Sequence, residues 1–255
     1  MTTWTGARTE ATGGTAARAP AVLLTVAVLP LEEPDPAEAP LTPAELLRAR
    51  AFAIPAVQRR FVASRQAARR FVAALAGVDP AVAAADYQCP QCRAASTQSH
   101  GIPRYLVHGK PVPFQVSFSR CGPWLLAGAS ATGPVGVDLA DVTGFGDPRL
   151  DAVIATEAEQ AQYDAVGPAE RAVRQARLWT RKEAVLKASG DGLRIAPHLV
   201  DVGVELTADS TVAAGPSGGR MSVMDLDTRM LSPGLFAAAA VPAAGEVRVE
   251  YRSRA

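Results

Sequence analysis

Only three of the 255 residues are cysteines, Cys89, Cys92 and Cys121. So sparse and odd a count supplies no disulfide framework, which excludes a small stapled secreted scaffold and fits a reducing, cytoplasmic setting. An excess of one charge is lacking as well. The formal net charge is +1, so the chain is not a nucleic-acid binder that relies on gross electrostatics, and any attraction to an acidic partner must be local. Long hydrophobic runs are also missing. The apolar stretch at 21–29 is too short to span a bilayer, and Glu32, Glu33 and Asp35 follow it among prolines. It reads as a first buried strand, with no membrane partner expected.

What is present is a globular composition, 48% apolar and 20% charged, in a chain long enough for one large domain or two similar halves. Residues 1–19, rich in Thr, Ala and Gly, are expected to form a disordered leader, followed by halves at 20–133 and 134–255. Thr42-Pro43-Ala44-Glu45 is a capping box with proline at the first helical position, and Thr156 with Glu159 is another. Apolar residues at helical spacing predict a helix from about Pro55 to Gly77, and a second long helix runs from about Pro168 to Ser189. Strands are expected at 104–107, 113–118, 124–130, 135–140, 198–206, 211–214, 221–228, 235–241 and 246–252. Helix followed by antiparallel strands, twice over, fits an α/β (α+β) protein. No residue-level internal repeat is visible.

Two stretches carry chemistry. In VGVDLADV (135–142) the carboxylate of Asp138 interrupts an apolar, β-branched run. In LWTRKEAVLKASGDGL (178–193) Glu183 lies between Lys182 and Lys187. Taken singly, Glu183 and Lys187 are a favourable i,i+4 pair that any solvated helix carries. A charge buried at Asp138 is costly unless a metal or a basic group accompanies it, so the two carboxylates are read together.

The order and spacing of these residues resemble the signature motifs of the 4′-phosphopantetheinyl transferases: Gly136-Val137-Asp138 on a strand, then Trp179-Thr180-Arg181-Lys182-Glu183-Ala184 through Lys187 on a helix. The likeness is to the larger, monomeric, surfactin-synthetase-associated type. It implies two similar halves in pseudo-twofold arrangement, each with helices on a mainly antiparallel sheet, the first on the coenzyme A side. It also implies transfer of the phosphopantetheine arm of coenzyme A to a serine of an apo acyl or peptidyl carrier protein, with Mg²⁺ as cofactor. Asp138 and Glu183 would ligate the metal, with Glu183 taking the serine proton directly or through water. Asp138, Glu183 and Lys187 form the catalytic set, and Lys182 and Lys187 would add positive charge for phosphate oxygens.

The pattern departs from the family in places. The family's second strand acid, two residues after Asp138, is here Ala140. Asp141 lies one residue further and is expected to face away, leaving water in the third ligand's place. Arg120 stands where many members carry histidine, so Ser119 and Arg120 are expected to contact coenzyme A. Two segments are candidates for the family's G-[KR]-P element on the pantetheine channel, His100-Gly101-Ile102-Pro103 and His108-Gly109-Lys110-Pro111; the second keeps the lysine, and Lys110 and Pro111 are taken as the contacts.

The helix at 55–77 carries Arg59, Arg60, Arg65, Arg69 and Arg70 and no acid of its own. The resemblance implies that the run Arg60-Phe61, Arg65 and Arg69 approaches the 3′-phosphate of coenzyme A, with Arg59 and Arg70 pointing elsewhere. Cys89 and Cys92 are half a zinc pattern that Cys121, His100 or His108 would have to complete. Two other readings stand beside the transferase: an inactive member that binds coenzyme A or a carrier protein, and a zinc-stabilised nucleic-acid binder.

Overall fold

The computed structural model describes residues 21–38, 41–87, 101–161, 163, 166–203, 209–216, 218–228 and 233–252. The expected leader at 1–19 lies outside the described residues, as do Cys89, Cys92 and His100.

The first half opens with β1 (Val22–Pro30), followed by α1 (Pro43–Arg50) and the 22-residue α2 (Pro55–Ala76). Short strands β2 (Ala83–Ala85), β3 (Tyr105–Val107) and β4 (Lys110–Pro111) make a small three-stranded sheet. Then come β5 (Gln115–Cys121) and β6 (Trp124–Ser130). The second half runs β7 (Gly136–Asp141), one-turn helices α3 (Asp151–Ile154) and α4 (Glu157–Gln160), and the 22-residue α5 (Pro168–Ser189). It ends in β8 (Ser210–Ala214), β9 (Arg220–Asp225), β10 (Leu235–Pro242) and β11 (Val247–Tyr251).

The two main sheets have the orders β11-β1-β6-β5 and β7-β10-β9-β8. One topology thus occurs twice: a first strand, a long helix, then an antiparallel pair whose second member hydrogen-bonds to the first strand. Each long helix covers one face of its own sheet. Ala67, Ala68, Phe71 and Val72 of α2 pack on Val116, Leu125 and Ala127, while Ala184, Val185 and Ala188 of α5 pack on Val223, Ala238 and Ala240. The opposite faces meet in a shared core, Leu24, Val26 and Leu126 against Val137, Leu139, Ala237 and Ala239. Strand alternation puts odd and even residues of β7 on different sides of that sheet: Val137 and Leu139 enter the shared core, and Asp138 is left for the α5 side.

The repeat extends to the caps. Glu45 in the box before α2 and Glu159 in the box before α5 are both fully buried, and each is ion-paired with the fifteenth residue of the long helix, Arg69 and Lys182 respectively. One sequence expectation is corrected. The residues of 198–206 that are described form a 3-10 turn and irregular chain rather than a strand. β11, at the end of the second half, runs parallel to β1 in the first half's sheet. The small β2-β3-β4 sheet has no counterpart in a plain two-half scheme. No helix among the described residues is long and apolar enough to cross a membrane.

Candidate active site

Helix α5 lies directly on β7 because the strand begins with glycine. A Cβ on Gly136 would come within 1.9 Å of Ala184 O and 2.6 Å of Ala188 N. The helix backbone therefore occupies that space, and Glu183 and Lys187, one turn apart on α5, reach Asp138 on the strand. Alanines opposite β7 on β10, such as Ala238 paired with Asp138, keep that face of the sheet low.

Asp138 is 5% exposed. Its Oδ1 accepts hydrogen bonds from Lys187 Nζ at 2.6 Å and from Ser119 Oγ at 2.7 Å. Lys187 Nζ also donates to Val137 O at 3.1 Å, and Val137 N–H donates to Ser117 Oγ at 3.1 Å. Ser117 and Ser119 alternate on the face of β5 away from α2, so their hydroxyls stitch β5 to β7 across the junction of the two sheets. Strand alternation was the signal for Ser117, which the sequence reading passed over.

Glu183 is 8% exposed, and burial raises its pKa; Lys187 pulls it back and Asp138 pushes it further up. Among the described residues, Asp138 Oδ2 and Glu183 Oε1 are buried with no hydrogen-bond partner. Two orphaned carboxylate oxygens in one place are expensive unless a cation joins them. No group of three or more His, Cys, Asp or Glu side chains among the described residues is set to hold a metal. The protein thus offers two hard oxygen donors, a set that suits Mg²⁺ completed by water and substrate phosphate.

Beside this cluster, a cavity of about 520 Å³ opens between the halves, lined by Lys187, Ser117, Phe118, Gly190 and the segment Gly101-Ile102-Pro103. Of the other candidate segment, Pro111 lines a neighbouring cavity of about 600 Å³ together with Ile102 and Pro103. Gly109 (φ 75°) and His108 (φ 50°) form the two-residue turn of the β3–β4 hairpin, and Lys110 and Pro111 are exposed on the strand that follows. Two residues at positive φ are what a tight hairpin of this twist requires. The structure brings Gly101, Ile102 and Pro103 to Lys187, and it does not bring Lys110 there.

Arg120 points to the other side of β5 from Ser119. Burial, and then the positive charges of Arg65, Arg48 and Arg60, lower its pKa, although the residue is exposed at its edge. Four arginines from α1, α2 and β5 therefore share one region, and Arg48, Arg60 and Arg120 make no ion pair among the described residues. Arg48 was not anticipated from the sequence, since it lies on a short helix outside the arginine run of α2.

The helix arginines otherwise differ from the uncompensated row expected. Arg69 is 2% exposed and bonds Glu45 Oε2 at 2.9 Å; Arg59 and Arg70 pair with Glu33 and Glu38. Lys182 is fully buried, donating to Glu159 Oε2 at 2.5 Å and Pro197 O at 3.1 Å. It faces away from Asp138, so neither Arg69 nor Lys182 meets the cluster. Asp141 also stays out: its Oδ1 accepts from Thr143 N–H and Thr143 Oγ1, and those bonds lower its pKa. Cys121 is a free thiol, raised in pKa by burial and by Asp141.

Residues 134–222 match the family model described as the 4′-phosphopantetheinyl transferase superfamily. The matched segment holds Asp138, Glu183 and Lys187 and stops short of the arginine cluster, which lies in the first half. No curated protein matches the chain.

Proposed function

We propose that this chain transfers the 4′-phosphopantetheine arm of coenzyme A to a serine of an apo acyl or peptidyl carrier protein, as a cytoplasmic monomer, with adenosine 3′,5′-bisphosphate as the other product. The observation that carries the reading is the pair Asp138 and Glu183. Each is buried, and each has an oxygen without a donor. Lys187, which bonds Asp138 and lies one helical turn from Glu183, lines the cavity between the halves.

Asp138 and Glu183 would hold Mg²⁺, which when bound neutralises charge on the diphosphate and on the departing phosphate. Lys187 adds positive charge at the same place, and Asp138 is kept in position by Lys187 and Ser119. The cavity past Ser117 and Pro103 accommodates the pantetheine arm. On the far side of β5, Arg120, Arg65, Arg48 and Arg60 suit the remaining phosphate of coenzyme A, the 3′-monoester, because a dianion there offsets the positive charges that act on Arg120.

In the transfer, the carrier serine oxygen bonds to the phosphorus that bears the pantetheine arm. The bond from that phosphorus to the bridging oxygen breaks, and the bridging oxygen leaves with the adenosine bisphosphate. The serine proton passes to Glu183, directly or through one water. With Mg²⁺ held by the same carboxylate its basicity falls, which favours passage of the proton through the water.

The test is intact-mass analysis of apo carrier proteins of fatty-acid, polyketide and nonribosomal-peptide type, each incubated with the protein, coenzyme A and Mg²⁺. A mass gain of one phosphopantetheine on at least one class is expected, and its loss on adding EDTA. Binding of coenzyme A with no mass gain on any class would mean a binding module in place of an enzyme.

A further inference from the structure

Glu45, Tyr87 and Phe61 surround Arg65 in a way that its own helix does not require. The Arg65 guanidinium carbon lies 4.8 Å from the centre of the Phe61 ring and 4.7 Å from that of Tyr87, so the cation is held between two aromatic faces. Its Nε is 3.7 Å from Glu45 Oε1. Glu45 is fully buried; Thr42 N–H, Thr42 Oγ1 and Arg69 Nη2 all donate to its Oε2, and Tyr87 Oη donates to Oε1 at 3.4 Å. Burial pushes the Tyr87 phenol up to about 12, so it remains a neutral donor at working pH. The carboxylate is thus fixed by a helix cap and the ring by the carboxylate, leaving Arg65 few alternative rotamers.

We infer that Glu45 and Tyr87 are positioning residues for phosphate recognition: without touching coenzyme A, they hold Arg65 rigidly beside Arg120 so that the 3′-phosphate meets a preformed site. Arginine's long side chain carries considerable rotamer entropy, and a guanidinium already immobilised does not lose that freedom on binding. The other half contains a natural contrast. The position equivalent to Arg65 on α5 is Leu178, buried in the core of that half, so the sandwiched cation has no counterpart there. The inference rests on the reading of the arginine cluster as a coenzyme A phosphate site.

The experiment compares coenzyme A with 3′-dephospho-coenzyme A by calorimetric titration and by KM and kcat, in the wild type and in Tyr87→Leu, Tyr87→Phe and Glu45→Gln. Tyr87→Leu leaves the Thr42–Glu45 cap intact, so it reports even where Glu45→Gln fails to fold. Tyr87→Leu is expected to raise Kd and KM for coenzyme A about fivefold to tenfold with kcat unchanged. It should shift dephospho-coenzyme A by less than about twofold, and Tyr87→Phe, which restores the ring, should recover most of the affinity. Equal losses for both ligands, or none for coenzyme A, would overturn the positioning role. A wild type that binds both ligands equally would overturn the phosphate reading itself, a result that no Tyr87 variant can produce.

Discussion

Gly136 and Ala184 touch backbone to backbone: the position a Cβ would take at 136 is 1.9 Å from Ala184 O. That contact lets Glu183 and Lys187 approach Asp138, because it removes one side chain's thickness between α5 and β7. Gly136→Ala should force the helix off the strand. We expect a stability loss of about 1–3 kcal/mol, seen as a lower denaturation midpoint. Turnover should fall further than the folded fraction does. An alanine variant with wild-type stability would show that the helix is free to lift without consequence.

A pH series on Glu183→Gln tests the burial of that carboxylate. Burial raises the folded-state pKa of Glu183, so the folded protein binds its proton more tightly than the unfolded chain. Stability from this group is therefore complete below the usual glutamate pKa and is lost as pH rises through the folded value. Without divalent metal, Glu183→Gln should be more stable than wild type at neutral pH, and the advantage should vanish near pH 4. Turnover at pH 7 should drop by about 10²–10⁴-fold, as for loss of a general base. A variant less stable than wild type at neutral pH would mean that the Glu183 charge is already compensated.

The buried pair Lys182 and Glu159 predicts a structural phenotype at a motif position. Lys182→Met leaves Glu159 charged and without its ammonium, at a cost of about 3–5 kcal/mol. Adding Glu159→Gln should recover much of that loss in a double-mutant cycle measured by denaturant unfolding. The KM for coenzyme A of the folded double variant should match wild type. A large rise in KM instead would put Lys182 on the substrate.

Long elements with strong periodicity were legible in the sequence, as were both capping boxes, since helix starts are encoded within a few residues. Asp138, Glu183 and Lys187 could be grouped because their order and spacing resemble the two signature motifs of one family, both of which lie in one half. The arginine helix was misread for a physical reason. Glu33, Glu38 and Glu45, which pair with it, lie in other elements, and no count of charges on one helix sees them. The same holds for Lys182. It adjoins Glu183 in sequence, but a helix turns about 100° per residue, and its partner is Glu159, 23 residues earlier. The two G-x-P segments could not be separated without knowing that His108 and Gly109 close a hairpin. The parallel return of β11 to β1 is a long-range pairing with no local signature.

Asp141 caps the 3-10 turn after β7 through Thr143, so Asp141→Ala should cost about 1 kcal/mol of stability as a lost cap. It should leave the dependence of rate on Mg²⁺ concentration unchanged. A variant that needs more Mg²⁺ would make Asp141 a third ligand.

Metal binding to the carboxylate pair is the most direct test. Mn²⁺ titration followed by electron paramagnetic resonance, in the presence of coenzyme A, should give one tight ion per wild-type chain. That signal should be retained in Asp141→Ala and lost in both Asp138→Ala and Glu183→Gln. An ion bound equally well after removal of either Asp138 or Glu183 would contradict the account.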